Sequence, residues 1–342
     1  MSRHAKPKRR TGVWVAAAAG ALTGLYLVWV LLIPAGSPRV TLVEFAPGTS
    51  AAVIAGNLES AGLIRSAFWF RVLARVTGRP LLAGEYGFRR ASLLRVLHAL
   101  QAGRVYLHRV LVREGDALPQ IADALAREGL AADSMRTAAM SRPLLRKLGI
   151  PGPSAEGFLF PDTYLIPKSF TGEQIVAMMA RRFSDRVPKA LLEEAKARGL
   201  DVLRLVTLAS IVEKEARDPG ERPVIAGVFR NRLKRGMPLQ ADPTVLYGLN
   251  RWDARLTLKD LQVDHPYNTY RRRGLPPGPI CSPGLACLEA AASPAEVPFL
   301  YFVTRKDGTG RHQFSRTLAE HERAIKASKL RAAAAPRRPA SP

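Results

Sequence analysis

The stretch Asp201-Val-Leu-Arg-Leu-Val-Thr-Leu-Ala-Ser-Ile-Val-Glu-Lys-Glu-Ala216 decides how this chain is read. Asp201 is a good N-cap residue. Val202, Leu203, Leu205, Val206, Leu208, Ile211 and Val212 leave almost no polar face, so the spacing predicts a buried helix over 201–216. Near its end, Glu213 follows Ala209 by one turn and Val206 by two, which places a carboxylate on an apolar, small-residue stripe. Desolvation in such a stripe favours the protonated form that a general acid needs near neutral pH. The competing reading is structural: an i,i+4 ion pair with Arg217, or a frayed end meeting water. Glu215 is the rival acid, two residues on and facing another side of the helix.

Downstream, Asp218-Pro-Gly220 breaks the helix, and Pro223 opens another that ends near Gly236. Leu239-Gln-Ala-Asp-Pro-Thr-Val-Leu-Tyr-Gly248 follows, where Asp242 is either a helix cap or a site residue. His265-Pro-Tyr-Asn-Thr-Tyr270 then leads through Gly274-Leu-Pro-Pro-Gly-Pro-Ile280 to Ser282-Pro-Gly284. Turn formers beside hydrogen-bonding side chains predict an ordered loop of the kind that carries binding residues. Phe299–Val303 reads as a strand with its turn at Asp307-Gly308, and Thr317-Leu-Ala-Glu320 as a capping box.

Upstream lies a weak repeat at a constant offset of 67. Phe45-Ala-Pro-Gly48 leads to Ile54-Ala55, Leu58 and Gly62-Leu63. Val112-Arg-Glu-Gly115 leads to Ile121-Ala122, Leu125 and Gly129-Leu130. Each copy predicts a strand, a turn and an amphipathic helix closed by a glycine. Between the copies, Gly84-Glu85-Tyr86 and Leu93–Leu100 complete a small α+β unit. Strand, turn and "IA..L...GL" resemble LysM, a module that binds N-acetylglucosamine-containing glycans. Residues 131–200 read as mainly helical, broken by Gly149–Pro153 and by Glu156-Gly-Phe-Leu-Phe-Pro-Asp-Thr-Tyr164. In that last segment Phe158 and Phe160 either pack a buried loop or line a sugar site.

At the front, residues 1–11 carry Arg3, Lys6, Lys8, Arg9 and Arg10 with no acid, and 12–33 carry no charge. Roughly 20 apolar residues span a membrane, and basic residues before the span place the N-terminus in the cytoplasm. The competing signal-peptide reading suits a shorter apolar region. The chain holds 52 Lys and Arg against 28 Asp and Glu, for a net charge of +24, which favours a polyanion without choosing one. An extracytoplasmic body argues against nucleic acid. Cys281 and Cys287 are too few for a disulfide framework, and they fit no metal pattern. The tail after Lys329, rich in Ala, Pro and Arg, is expected to be disordered.

Five segments together carry a family resemblance: Leu208–Ala216, Leu239–Gly248, Tyr267–Gly284, Glu156–Tyr164 and Pro298–Val303. Together, running in order along residues 40–327, they resemble the MltG (YceG-like) family of endolytic murein transglycosylases. The resemblance implies an α+β protein with an N-terminal transmembrane helix, a LysM-like βα subdomain and a mixed α/β catalytic domain. It implies an inner-membrane enzyme that cleaves the MurNAc–GlcNAc bond of nascent strands and leaves 1,6-anhydro-MurNAc ends. The first acid of the family's "IVEKE" motif, here Glu213, is implied to be catalytic. Gln240, Asp242, Tyr267, Asn268, Thr269 and Glu156 are the candidates for holding the sugar, with Asp162 a weaker one.

The expected organisation is a basic tail (1–11), a membrane helix (12–33), a LysM-like subdomain (40–130), a catalytic domain (131–327) and a tail (328–342). No cofactor or metal is expected. Expected partners are peptidoglycan strands and the membrane, with peptidoglycan synthases left open. A non-catalytic wall-binding scaffold is the alternative function.

Overall fold

The computed structural model describes residues 9–252 and 255–334, so most of the expected basic tail and the last residues of the expected C-terminal tail lie outside it. The chain is a mixed α+β protein whose strands pair only two at a time, and it divides into two compact units. The first comprises residues 1–108 and 165–169, and the second the remainder.

The first unit opens with α1 (Arg9–Leu31), whose stretch Val13–Leu31 is long and apolar enough to cross a membrane. Its last turn is built into the unit: Val30 is buried in the same core as Phe45, Leu58, Phe70 and Tyr86. The last carbonyls of a helix have no partner within it. Here the Arg65 guanidinium donates to Trp29 O (3.3 Å), Ile33 O and Pro34 O (2.9 Å), and lies 4.8 Å over the Trp29 ring.

β1 (Thr41–Phe45) pairs antiparallel with β2 (Gly84–Phe88), with Thr41 opposite Phe88. Helices α2 (Ala51–Ser60), α3 (Ala67–Thr77) and α4 (Leu93–Gln101) are each opened by a serine, Ser50, Ser66 and Ser92. Each hydroxyl accepts from the backbone N–H three residues on.

β3 (Leu107–Leu111) and α5 (Leu118–Arg127) form the second repeat copy. The match is conformational as well as sequential. Gly48 and Gly115 both adopt φ of +82°, and the closing glycines Gly62 and Gly129 adopt +68° and +67°. The apolar positions of both copies, Ile54, Ala55 and Leu58 against Ile121, Ala122 and Leu125, are buried. The helices of the two copies fall in different compact units.

The chain continues through α6 (Ala132–Ala139), α7 (Arg142–Lys147), β4 (Thr163–Pro167, paired with β3), α8 (Gly172–Arg186) and α9 (Lys189–Ala197). Phe158 and Phe160 are buried against Phe183, with ring centroids 5.4 and 6.4 Å away, so the packing role holds for both. At the centre is α10 (Val202–Glu215), and Asp201 caps it by accepting from Arg204 N at 2.8 Å. Residues 205–212 are all buried.

Then come α11 (Arg222–Lys234), α12 (Asp242–Gly248), α13 (Leu285–Ala292), the hairpin of β5 (Tyr301–Thr304) with β6 (His312–Ser315), and α14 (Leu318–Ala334). The capping box forms: Glu320 N donates to Thr317 Oγ1 at 3.2 Å, while the Glu320 carboxylate accepts from Thr317 N at 3.4 Å and from Arg316 N at 2.7 Å. One correction falls here. The helix continues to Ala334, past residue 328 where the tail was placed, because Lys329-Leu-Arg-Ala-Ala-Ala is made of strong helix formers.

Candidate active site

Glu213 sits in the last turn of α10, where the helix emerges from its buried run, and is half-buried. Its Oε2 accepts a 2.8 Å hydrogen bond from Gly284 N, the residue that opens α13. The i,i+4 pair with Arg217 is not formed among the described residues. Ser210, one turn earlier, fixes the same loop: its Oγ accepts from Ile280 N at 3.0 Å and donates to Thr207 O at 2.8 Å. Cys281 and Cys287 are free and buried on this side of α10. Burial pushes the Cys287 thiol up, and the adjacent Glu213 carboxylate adds to this through charge and a hydrogen bond.

The other wall is the turn of the second repeat copy. Lys214 Nζ donates to Gly115 O (3.3 Å), and a methyl placed on Gly115 would lie 3.9 Å from Glu213 Cγ. The turn is joined to the proline-glycine loop by two backbone bonds of 2.8 Å, Gly115 N to Ser282 O and Ser282 N to Asp116 O.

Glu156 belongs to a neighbouring cluster. It is 2% exposed, and its carboxylate accepts from Leu118 N at the start of α5 (3.1 and 3.2 Å) and from the Tyr247 hydroxyl (3.1 Å). Burial raises its pKa from 4.5 to about 7 against the opposing pull of these hydrogen bonds and the charge of Lys214. Tyr267 joins through ring contact with Tyr247, centroids 4.8 Å apart.

A third cluster lies on the other side of the α10 terminus, in a cavity of about 490 Å³ lined by Glu215, Arg232, Gln240, Asp242, Tyr270 and His321 among others. Burial, then the nearby Asp242 carboxylate, raises the Glu215 pKa from 4.5 to about 8. Asp242 does not cap α12; it accepts from the Tyr270 hydroxyl, which overturns the capping alternative. Gln240 holds a left-handed backbone (φ +52°), and its Oε1 accepts from Arg232 Nη1 at 3.2 Å.

Asn268 and Thr269 are buried, and both tie the loop together. Asn268 Nδ2 donates to Leu261 O and Val263 O. Thr269 Oγ1 accepts from Ala241 N and pairs with Thr244 Oγ1. Asp162 holds Arg182 in an ion pair of 2.5 Å.

The sequence candidates thus divide into three groups around the end of one helix: Glu213; Glu156 with Tyr267; and Gln240 with Asp242 beside Glu215. Tyr247, Tyr270 and Arg232 join them without having been singled out from sequence. So does Glu114, whose only sequence signal is that it replaces Pro47 at the matching position of the repeat. Among the described residues, no group of three or more His, Cys, Asp or Glu side chains is arranged to hold a metal ion.

A half-buried carboxylate at the end of a buried helix, held by a proline-glycine loop, with the buried Glu156 and the half-buried Glu215 around the same helix end, defines an acid-centred site on a mixed α+β scaffold. The YceG-like family profile matches residues 43–327, and the chain belongs to that family. It is 34% identical over 301 residues to an endolytic murein transglycosylase of Bacillus subtilis, covering 82% of this chain and 83% of that one. It is 31% identical over 344 residues to an endolytic murein transglycosylase of Streptococcus pneumoniae, covering 90% of this chain and 62% of that longer one. A solved YceG-like protein of Listeria monocytogenes superposes with a TM-score of 0.59 at 32% identity, covering 84% of this chain and 99% of that one.

Proposed function

We propose that the protein is a membrane-anchored endolytic lytic transglycosylase, with Glu213 as its single acid and base. The observation that carries the proposal is the Glu213 carboxylate itself. It lies partly open to solvent, and one oxygen is fixed by Gly284 N at 2.8 Å. A fixed carboxyl with a free edge suits proton transfer in both directions.

In the proposed reaction Glu213, as the acid, gives its proton to the glycosidic oxygen as the C1–O bond of MurNAc breaks. The carboxylate then takes the proton of the C6 hydroxyl of the same sugar while that oxygen bonds to C1. Glu213 ends as it began, no water is consumed, and the strand acquires a 1,6-anhydro-MurNAc end. The nucleophile belongs to the substrate, so its effective concentration is high.

The ring wall of Tyr247 and Tyr267 and the cavity holding Gln240 and Asp242 are assigned to flanking parts of the glycan. Asn268 and Thr269 fix the loop between them. The LysM-like segment 40–130 is assigned to binding and 131–327 to chemistry. Residues 12–33 are assigned to a single anchor in the cytoplasmic membrane, with the N-terminus inside and the body outside.

The test is Glu213→Gln, which keeps size and removes the transferable proton. Formation of anhydro-MurNAc ends, read by mass spectrometry on digested peptidoglycan, is expected to fall by about 10²–10⁴-fold or more. Glu215→Gln, which alters the opposite cavity, serves as the comparison and is expected to be much milder. Near-normal product from the folded Glu213 variant would remove the assignment of the acid, and absence of product from the unaltered protein would leave a glycan-binding scaffold.

A further inference from the structure

The turn of the second repeat copy carries an acid that the single-carboxylate reading leaves unused. Glu114 is exposed, and its carboxylate lies against Gly284 Cα: a methyl placed there would stand 2.0 Å from Glu114 Oε1. Gly284 N is also the donor to Glu213 Oε2 at 2.8 Å. Both carboxylates therefore converge on one residue, and the connecting bonds limit their nearest oxygens to a separation of at most about 8 Å. Paired carboxyls that act on opposite sides of a glycosidic bond stand roughly 5–9.5 Å apart, and this upper limit does not exceed that range.

The turn that carries Glu114 is held from several directions. Gly115, next in sequence, takes the left-handed φ of +82° that its turn requires. The Asp116 carboxylate accepts from Arg113 N at 2.8 Å, the Ser282 backbone holds Gly115 N and Asp116 O, and Lys214 Nζ holds Gly115 O. Arg222 Nη2 stands 3.9 Å from the second carboxylate oxygen. Two buried polar atoms beside it, Ser282 Oγ and Arg222 Nε, have no hydrogen-bond partner among the described residues.

We propose that Glu114, although it comes from the segment otherwise assigned to binding, is the second carboxylate of the active site, facing the reacting sugar and stabilising the positive charge that develops at C1 as the glycosidic bond breaks. The inference rests on the assignment of Glu213 as acid and base. Glu114 exchanges no proton and forms no bond in this scheme. The proton leaves from and returns to Glu213, and the C6 oxygen remains the nucleophile. Charge stabilisation by a fixed group is commonly worth about 10²-fold in rate.

The test compares full-length Glu114→Gln, Glu114→Asp and Gly284→Ala in detergent on uncrosslinked glycan strands, with Glu213→Gln alongside. Gly284 has φ −71° and ψ 163°, which alanine adopts freely, so its methyl displaces the Glu114 carboxylate without straining the backbone. Glu114→Gln and Gly284→Ala are expected to lower kcat on the order of 10²-fold with KM little changed. Products should still end in anhydro-MurNAc, and Glu114→Asp should recover part of the loss. The double variant should be little worse than either single one, since both remove the same group. A Glu114→Gln enzyme within twofold of the original kcat, beside an inactive Glu213→Gln, would overturn the role of Glu114 alone. Normal turnover by both would overturn the site assignment as well.

Discussion

Replacing Glu156 by glutamine should make the protein more stable above neutral pH and leave it nearly unchanged in acid. Glu156 is 2% exposed, so its charge gains little from solvent. Its pKa is raised by burial from 4.5 to about 7, with the bonds from Leu118 N and the Tyr247 hydroxyl only partly offsetting the shift. The folded protein therefore binds the proton more tightly than the unfolded chain. Stability is undiminished below pH 4.5, falls as pH rises towards about 7, and is level beyond that.

At about 1.4 kcal/mol per pKa unit, the loss at pH 8 reaches about 3 kcal/mol. Glutamine cannot ionise. Its carbonyl can accept from Leu118 N, and its amide can donate to Tyr247 Oη, so it copies the protonated acid. Urea unfolding of the full chain in detergent at pH 4.5 and pH 8 reads the difference between variant and parent. Glu215 titrates over an overlapping range, but it does so in both proteins and largely cancels. An advantage of about 3 kcal/mol at pH 8 and near zero at pH 4.5 is expected. An equal difference at both pH values would refute the reasoning.

Two further changes probe the scaffold. Arg65→Ala removes the donor to the carbonyls of Trp29, Ile33 and Pro34 and should cost about 1–3 kcal/mol; faster tryptic cleavage at Arg39 and a lower melting temperature would show it. Gly172→Ala places a methyl 2.2 Å from the backbone carbon of Ser134, where neither α6 nor α8 can yield cheaply, and should cost about 1–3 kcal/mol by thermal melting. Gly56→Ala, where nothing lies within 4 Å, should be neutral or slightly stabilising.

What the sequence disclosed was local. Asp201 caps α10 through Arg204 N, Thr317 and Glu320 form their box, and the glycines of the repeat share their left-handed geometry, because each depends on residues a few positions apart. Contacts set by distant packing were not readable. Asp242 at a helix start looks like a cap, but Tyr270, 28 residues away, takes its carboxylate. Asn268 looks like a sugar contact, yet its amide group is spent on Leu261, Val263 and Tyr270. Glu114 looked like one letter of a turn until the loop 71 residues beyond Glu213 brought Gly284 to both acids.

The acids around the end of α10 can be sorted by their surroundings, since environments that separate carboxyl groups also separate their roles. Glu156 is enclosed and tied to a helix start and a tyrosine, which suits a neutral or weakly acidic support near pH 7. Glu215 shares its cavity with Asp242, so like charge and burial both resist its ionisation, and it faces away from the proline-glycine loop. Glu215 is half-buried like Glu213, but only Glu213 and the exposed Glu114 meet at Gly284. Under the proposed function a glycan strand reaches the acid from solvent, and of these four only Glu213 and Glu114 combine access with a place beside Gly284. The proposal assigns proton transfer to the one on the buried helix, whose carboxylate a backbone donor orients, and charge stabilisation to the one on the turn.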